Sequence, residues 1–325
     1  MRIDPRRLAR GVMRRLRRWA RVPAGPTILM YHRIAEPTAD PWELAVSPAN
    51  FEAQIAWLKR NRTVLSLQTF EALRRQGRLS RDAVAVTFDD GYACNALVAA
   101  PIAAAHEAPM TIFLTTGAIS ADAEFWWDDL ERIVSSAPVS PLEITIAGEN
   151  LAMELGEPGE GLTPLRAEAY TTLWRALRPL DTATRRSVVA ELAERCGVGA
   201  AARPEYRAMT QAEIVELARS PWVSFGAHSV NHPPLSELTP AEQRFEIETS
   251  RDACTSLMGH APELFAYPYG DYSDETVQLV RQAGFKVAVT TDAGVVSGRS
   301  ESLRLPRMAV GDWPQERFAE LFASP

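Results

Sequence analysis

Two adjacent carboxylates at the end of an apolar run are the residues in this sequence best placed to do chemistry. Residues 83–88 form an alternating, β-branched run that predicts a buried strand, and Asp89, Asp90 and Gly91 follow it directly. Inside a strand the pair would leave a charge in the core, whereas at its C-terminal end both side chains can turn into one cleft. Asp-Asp-Gly is also an ordinary turn sequence, so this segment alone leaves chemistry and a simple turn open.

A second segment contains two histidines four residues apart, again after an apolar run. His228 and His232 follow residues 222–225, and a helical turn between them would let both rings bind one metal ion. Two histidines and one carboxylate are the donor set of a hydrolytic zinc site that keeps a position open for water. Taken alone, the histidines could also be neighbours by chance.

Together these two segments resemble the first two motifs of the polysaccharide deacetylases, the NodB-like carbohydrate esterases of family 4. The matching segments are 87–91 (TFDDG) and 228–232 (HSVNH). Residues 265–270 (FAYPYG) are similar to the family's Pro-Tyr-Gly segment, which forms one wall of the substrate groove. The resemblance therefore implies that Pro268 and Tyr269 contact substrate.

The resemblance also implies a chemical role for each residue of the first two segments. Asp89 would be the catalytic base. Asp90, His228 and His232 would hold one divalent metal ion, for which zinc is the expected identity. The function implied is hydrolysis of an acetyl amide on a sugar.

Two residues that the family usually carries are missing from their usual places. No histidine follows His260, although most members have a C-terminal histidine as general acid, and the third motif lacks its arginine. His32, after the apolar run 27–31, is the expected acid, as in the circularly permuted branch similar to poly-N-acetylglucosamine deacetylases. Arg307 is the candidate for the arginine that keeps Asp89 ionised, with a surface salt bridge as the alternative.

Reactive groups at the ends of three apolar runs are typical of the rim of a β/α barrel. Strand and helix patterns alternate up to residue 114, which favours a parallel sheet. The expected fold is α/β: a distorted (β/α)7-type barrel over residues 23–325, with a helical insertion at about 121–208 and a basic N-terminal helix. Trp126 and Trp127 open the insertion and are either core aromatics or part of a lid that stacks on sugar rings.

Helix start signals flank the candidate site. Residues 239–242 form a capping box, which predicts a helix from Pro240 to about Met258 that anchors the metal-binding turn. Ser47 followed by proline likewise predicts the start of a helix that continues to Asn61.

Composition and charge limit the function classes. The 325 residues are 46% hydrophobic and 23% charged, which is ordinary for a globular protein. Residues 1–21 hold nine arginines and one acid, so in a chain of net charge −6 the remaining body is near −14. Such a body is a poor nucleic-acid binder. The three cysteines form no CxxC pair and indicate neither a disulfide framework nor a zinc knuckle.

The basic arm, residues 1–22, carries an apolar stripe at helical spacing. Leu8, Val12, Leu16 and Trp19 form this stripe, which fits either a helix lying on an anionic membrane surface or a solvated basic tail. No apolar run of signal-peptide length follows. The expected location is cytoplasmic, at the inner face of the membrane if the arm binds it. A glycan is the expected partner, and the oligomeric state is not indicated.

The expected function is metal-dependent removal of acetyl groups from N-acetylated sugars of a bacterial-type polysaccharide or its precursor. Two alternatives are a catalytically impaired carbohydrate-binding protein on the same fold and a metal-independent glycosidase. Adjacent carboxylates on one turn are poorly placed to flank a glycosidic bond from opposite sides. A binding protein would be expected to have lost some of the base and ligand residues, and all four are present.

Overall fold

The structure, a computed structural model, describes residues 25–120, 123–138, 141–159, 161–199 and 201–323. The basic arm at 1–22 lies outside the described residues, so its helix and its membrane contact stay predictions. Within the described ranges, no helix combines the length and apolar character needed to cross a bilayer. The three cysteines are buried and form no disulfide.

The strands and helices carry the following numbers throughout. The strands are β1 (Thr27–Tyr31), β2 (Arg33–Ile34), β3 (Ala45–Val46), β4 (Thr63–Leu65), β5 (Ala83–Phe88), β6 (Met110–Leu114), β7 (Pro141–Ile146), β8 (Glu149–Glu154), β9 (Val223–Ala227), β10 (Leu264–Ala266), β11 (Val287–Ala293) and β12 (Leu305–Ala309). The α-helices are α1 (Pro48–Asn61), α2 (Leu67–Arg75), α3 (Ala100–Ala105), α4 (Trp126–Ser136), α5 (Pro164–Leu177), α6 (Thr182–Arg195), α7 (Gln211–Leu217), α8 (Pro240–Met258), α9 (Asp274–Gln282) and α10 (Gln315–Glu320).

Seven parallel strands of the described chain close into a barrel, in the order β1, β12, β11, β10, β9, β6, β5 and back to β1. One edge of β5 pairs with β1 along its whole length. Its other edge is shared, because β4 pairs with residues 83–85 and β6 with residues 86–88. This sharing splays β4 away from β6 and distorts the ring. The predicted distorted (β/α)7-type barrel is confirmed.

The barrel strands are apolar because both of their faces are covered. All residues of β1, β5 and β6 are buried, as expected for a parallel sheet with helices on its outside. Charged groups therefore collect where the strands end. Two predicted helix starts are also confirmed: Ser47 accepts from Asn50 N–H at the start of α1, and α8 runs from Pro240 to Met258 behind a complete capping box.

The insertion has a hydrophobic core of its own and is not purely helical. Helices α4, α5 and α6 pack together with a β-hairpin of β7 and β8, an element that the predicted helical insertion did not include. The hairpin forms because Leu142, Ile144 and Ile146 alternate with exposed residues and face the core. Ala147 and Gly148 both have positive φ, 50° and 83°, which matches a two-residue hairpin turn.

Candidate functional site

The backbone at the barrel mouth is held in conformations that most residues avoid. Gly91, with φ 80°, turns the chain after β5, and Asp90 itself has φ 71°. Ser229, His232 and Tyr269 also have positive φ. Left-handed backbone at residues other than glycine costs free energy and concentrates at functional sites. Here it aims side chains from three different strand ends into one space.

The structure brings the three predicted metal ligands together. Asp90 Oδ1 lies 3.6 Å from His228 Nε2 and 3.4 Å from His232 Nε2, and the two Nε2 atoms are 3.2 Å apart. All three residues are buried, and their donor atoms lie within 4.8 Å of one another. One ion can therefore contact all three donors.

Hydrogen bonding around these donors fits a divalent cation. His228 Nδ1 lies 2.8 Å from the Ala266 carbonyl oxygen, which can only accept, so Nδ1 carries the proton and Nε2 presents its lone pair. Asp90 Oδ1 is buried and has no hydrogen-bond partner among the described residues. A buried unpaired carboxylate oxygen is costly unless a cation satisfies it. Two imidazoles and a carboxylate suit zinc, among other divalent metals.

Without a cation, the ionisation of this cluster reflects its burial. Burial, reinforced by the like charges of Asp89 and Asp128, raises the pKa of Asp90 well above its usual range. Burial likewise lowers the pKa of both His228 and His232. The imidazoles are therefore neutral near pH 7, which is the form that binds metals.

Asp89 lies in the opposite environment. Arg307 Nη1 donates to Asp89 Oδ1 at 2.7 Å and Nη2 donates to Oδ2 at 2.6 Å, while Nε donates to the Thr290 carbonyl at 2.9 Å. Burial alone would raise the pKa of Asp89, but the Arg307 guanidinium, together with His228 and His32, outweighs it and holds that pKa well below its usual range. Arg304, the other arginine of this segment, is partly exposed and pairs with Asp274. Arg307 is therefore the arginine that contacts the candidate base.

His32 is the third reactive group at the mouth. Its Nε2 lies 4.0 Å from Asp89 Oδ2, and its side chain is 16% exposed. Asn95 Nδ2 donates to the His32 carbonyl at 2.8 Å and so fixes the backbone of this residue. Burial lowers the pKa of His32 to about 4, although the Asp89 carboxylate opposes the shift. The imidazole thus faces the candidate base and remains open to a ligand.

Helix α8 anchors the turn between the two histidines, as predicted. Its buried Glu246 accepts hydrogen bonds from the Val230 and Asn231 N–H groups, both at 2.8 Å, and from Asn231 Nδ2 at 2.7 Å. Ser229 Oγ accepts from the His232 N–H at 3.0 Å. Sequence reasoning predicted the helix but missed Glu246, because a single glutamate on an amphipathic helix gives no signal of burial.

The residues predicted to contact substrate surround His232. The Tyr269 ring lies 4.4 Å from the His232 ring, and Pro268 beside it is buried. Trp127 is buried, with its ring 4.9 Å from that of His232, and so forms a wall behind this ligand. Trp126 is half-buried and lines a cavity beside the mouth. Both tryptophans line this cavity, and Trp127 in addition packs against His232.

A buried polar network that the sequence did not reveal supports this wall. Tyr92 donates from its hydroxyl to Asp128 Oδ2 at 2.7 Å and accepts from Trp127 Nε1 at 2.8 Å. Arg33 Nη1 lies 3.7 Å from Asp128 Oδ1. Burial raises the pKa of Asp128 to about 7. Arg33 and Tyr92 directly follow predicted site segments, and that proximity was the one available signal.

The sequence was compared with families of known proteins. The sequence model of the polysaccharide deacetylases matches residues 76–139 and 188–288, about half of the chain. This match contains Asp89, Asp90 and both histidines of the cluster.

The chain belongs to the polysaccharide deacetylase family.

The family match leaves out residues 140–187, the middle of the insertion. Among single relatives, YxkH from Bacillus subtilis (strain 168) is 28% identical over 102 residues, which are 31% of this chain and 36% of YxkH. The match therefore spans about a third of that relative's length.

Two solved structures share the fold over nearly the whole chain. The deacetylase PplD from Streptococcus pyogenes, in complex with acetate, is 21% identical with a TM-score of 0.60, and the match covers 93% of this chain and 99% of PplD. IcaB from Ammonifex degensii is 19% identical with a TM-score of 0.59, covering 93% of this chain and 99% of IcaB. At these identities the likeness shows the fold.

Proposed function

We propose that this polysaccharide deacetylase family member removes acetyl groups from N-acetylated sugars of a bacterial-type polysaccharide or its precursor, with the help of one divalent metal ion. One observation carries the proposal: a carboxylate kept ionised by Arg307 lies directly beside a buried cluster of three metal-ligand atoms, with which no lysine or arginine of the described residues forms an ion pair. Hydrolysis of an amide needs both a base for water and an electrophile for the carbonyl, and these two neighbouring groups can provide them.

Asp90, His228 and His232 would hold the ion. When bound, the ion would act as a Lewis acid toward the acetyl carbonyl and would make water more acidic. Zinc is the identity that we propose, because the donor set is two imidazoles and one carboxylate. The walls around the cluster, among them the buried Trp127 and the half-buried Tyr269, limit the access of bulk water.

Asp89 is the proposed base. Its pKa is held low, so it is ionised throughout the neutral range and can accept the proton of the attacking water. The Arg307 fork fixes both carboxylate oxygens and so fixes the direction from which a proton must arrive. Asp90 and Asp89 are adjacent, yet one serves as ligand and the other as base because their surroundings differ.

His32 is the proposed acid that protonates the leaving amine. Its pKa of about 4 means that the imidazole is neutral near pH 7 and must gain a proton before it can give one away. Asp89 Oδ2, 4.0 Å from His32 Nε2, is the nearby group that has just received one. The amide is thereby hydrolysed to acetate and a free amine with the water proton transferred to the amine.

The Tyr269 backbone is proposed to stabilise the negative charge on the carbonyl oxygen. The left-handed turn at Tyr269, with φ 58°, lies beside His232. Its N–H donates to no acceptor among the described residues. A backbone N–H that is free and fixed in place is the kind of donor that stabilises an oxyanion.

The same contacts weigh against the two alternatives. A glycosidase would need its two carboxylates on opposite sides of a glycosidic bond, whereas Asp89 and Asp90 leave the same turn and Asp89 is fully engaged by Arg307. A binding protein would have no use for an ionised buried base next to three converging metal-ligand atoms. These contacts support catalysis.

Acetate release from chitotetraose, measured with and without a strong chelator, tests the proposal. We expect acetate and free amine in equal amounts, loss of both with chelator, and recovery on adding zinc. A glycosidase would instead give shorter sugars without acetate and would ignore the chelator. A binding protein would bind the oligosaccharide and leave it unchanged.

We also propose a cytoplasmic location and contact of the arm, residues 1–21, with the inner face of the membrane, on the basis of its nine arginines. Co-sedimentation of the full chain with vesicles containing 30% phosphatidylglycerol should exceed that of a variant without the arm. Equal sedimentation of the two proteins would remove the arm from the proposal.

A further inference from the structure

A cavity of about 270 Å³ opens beside the metal cluster, between the barrel mouth and the insertion. It runs from His232 and Asn231 past Trp126 to Arg185 and Thr182 at the start of α6. Its size suits one sugar unit or a small substituent. Because His232 lines one end, a substrate that placed its acetamide at the cluster could extend into this cavity.

Arg185 is the unusual group of the cavity. Its side chain is almost fully buried, since the residue is 2% exposed, yet it forms no ion pair with any carboxylate of the described chain. Its donors reach the Arg178 carbonyl at 3.2 Å and Thr182 Oγ1 at 3.5 Å, the second contact being long for a hydrogen bond. A buried cation without an anion is costly.

Buried arginines of the described chain fall into two groups. Arg307 forms a fork with Asp89, and Arg74 forms one with Glu71. Arg166, like Arg185, has no carboxylate fork and donates to four backbone carbonyl groups, three of them near the end of α4.

Arg185 is distinguished by its place. Of these buried arginines it is the one that lines the cavity, and no carboxylate of the described chain forms an ion pair with it.

Two carboxylates act on Arg185 from a distance without forming an ion pair with it. They are Glu246 and Asp181, and each already accepts hydrogen bonds from backbone N–H groups.

The carboxylates that line the cavity are held elsewhere. Glu124 is held by Arg203 through three hydrogen bonds, and Asp129 is held by Arg132. The exposed Arg186 adds a second positive charge to the lining.

The position of Arg185 in its helix does not stabilise its positive charge. It lies in the first turn of α6, a helix of 14 residues capped by Asp181. A cation gains nothing from the macrodipole at this end of a helix. Asp181 already accepts from the Ala183 and Thr184 N–H groups there, so the guanidinium, and not the helix end, is the group that would attract a bound anion.

We propose that this cavity binds an anionic group of the glycan substrate, a carboxylate or a phosphate, through the Arg185 guanidinium while the acetamide lies at the metal cluster. The inference rests on the proposed deacetylase function and adds the substrate class: an acidic glycan. The planar guanidinium fork matches either oxyanion. The guanidinium carbon lies 5.0 Å from the centroid of the Trp126 ring, and this cation–π contact holds the Arg185 side chain in the cavity lining.

Arg185 also lies in the segment that the family match leaves out, residues 140–187. The groups for hydrolysis lie in matched segments or at the two ends of the chain. The anion-binding residue belongs to the insertion. The insertion thus recognises the charge of the substrate, whereas residues outside it carry out the hydrolysis.

The test compares substrates that carry the same acetamide. Chitotetraose is neutral, a hyaluronan tetrasaccharide carries carboxylates, and N-acetylglucosamine 1-phosphate carries a phosphate. We expect kcat/KM to be higher for at least one anionic substrate than for its neutral counterpart, chitotetraose or N-acetylglucosamine. Arg185→Met should reduce that preference by about ten- to a hundredfold, the usual range for a hydrogen bond to a charged group. The anionic substrate whose preference falls more in Arg185→Met identifies the anion.

Arg195→Met is the matched control, because it removes an arginine from the other end of the same helix, where Arg195 pairs with Glu191. It should leave the preference unchanged. Thermal unfolding checks that both variants fold, and Arg185→Gln replaces Arg185→Met if the latter does not.

Two failures are distinguishable. If chitotetraose is deacetylated as fast as the anionic substrates and Arg185→Met changes nothing, the anion site is overturned and the proposed function stands. If no substrate is deacetylated, calorimetric binding of the hyaluronan tetrasaccharide and of N-acetylglucosamine 1-phosphate still decides the matter. Binding that is lost in Arg185→Met supports the site, and equal or absent binding overturns it.

Discussion

The two halves of the barrel mouth contrast sharply although adjacent residues define them. In one half, both oxygens of Asp89 are engaged by Arg307 and the charges balance. In the other half, Asp90 Oδ1 faces only the His228 and His232 imidazoles, and no counter-charge is present among the described residues. Burial acts on both carboxyls, yet the pKa of Asp89 is lowered and that of Asp90 is raised.

Because both residues are aspartates, local geometry and not residue type must determine which one is the proposed base and which one the proposed metal ligand. The change to left-handed backbone at Asp90, with φ 71°, sends its side chain toward the histidines while Asp89 remains against β12. A fully paired carboxylate stays ionised and fixed in place, as a base must. An unpaired one is stabilised only when a cation arrives. The following predictions separate the two halves.

The largest effect is expected from Asp90→Ala, which removes the carboxylate of the unpaired half. We expect loss of bound zinc after dialysis, measured by mass spectrometry of the metal, and loss of all chelator-sensitive acetate release. Asp90→Asn is the folding control, because asparagine tolerates a left-handed backbone better than alanine does. Full zinc content in Asp90→Ala would remove this residue from the ligand set.

Asp89→Asn should come next, because it alters the paired half alone. Zinc content should stay at one per chain, while kcat for acetate release falls by about 10²–10⁴-fold, the usual contribution of a general base. Normal turnover by this variant would show that Asp89 is not the base. Loss of zinc would show that the two halves do not have separate roles.

Arg307→Met should leave Asp89 buried without a counter-charge. We expect the free energy of unfolding at pH 7 to fall by about 3–5 kcal/mol, as when one partner of a buried pair is removed. Because the pKa of Asp89 is lowered in the folded protein, the pair stabilises above the ordinary aspartate pKa of about 3.9 and stops doing so as pH falls through the folded value. The variant's deficit should therefore be full at pH 7 and should shrink under strongly acidic conditions.

Urea unfolding at several pH values measures this deficit. Arg304→Met is the matched control from the same segment, and as a surface pair with Asp274 it should cost about 1 kcal/mol or less. Equal losses for the two arginines would contradict the buried pairing.

The smallest effect is expected from Glu246→Gln, which acts on the unpaired half through the turn that carries His232. One amide group cannot accept all three hydrogen bonds, so the zinc affinity should fall by about tenfold, within the range of supporting residues around metal sites. Competition with a fluorescent chelator measures the Kd. Glu248→Gln, on the same helix and half-exposed, should leave the Kd unchanged.

The functional side chains at strand ends were predictable for two reasons. An apolar run shows where a strand ends, and the C-terminal ends of the strands of a parallel barrel lie at one rim. This holds for Asp89, His228 and His32. Arg307 was harder, since it lies within a strand and its direction depends on the closure of the ring. The hairpin around Ile144 was readable from its alternation and was missed. Arg185 was not predictable, because only the packing of the insertion buries it.

Strand β1 has one partner from the first third of the chain and another from its end: Leu29 pairs with both Val86 and Met308. A ribosome delivers β5 long before β12, so one side of β1 stays uncovered until β12 has been made. An uncovered parallel edge invites pairing with other chains. The nascent protein thus acquires the completed ring, and with it the Arg307 clamp on Asp89, only after more than two hundred further residues have followed β5.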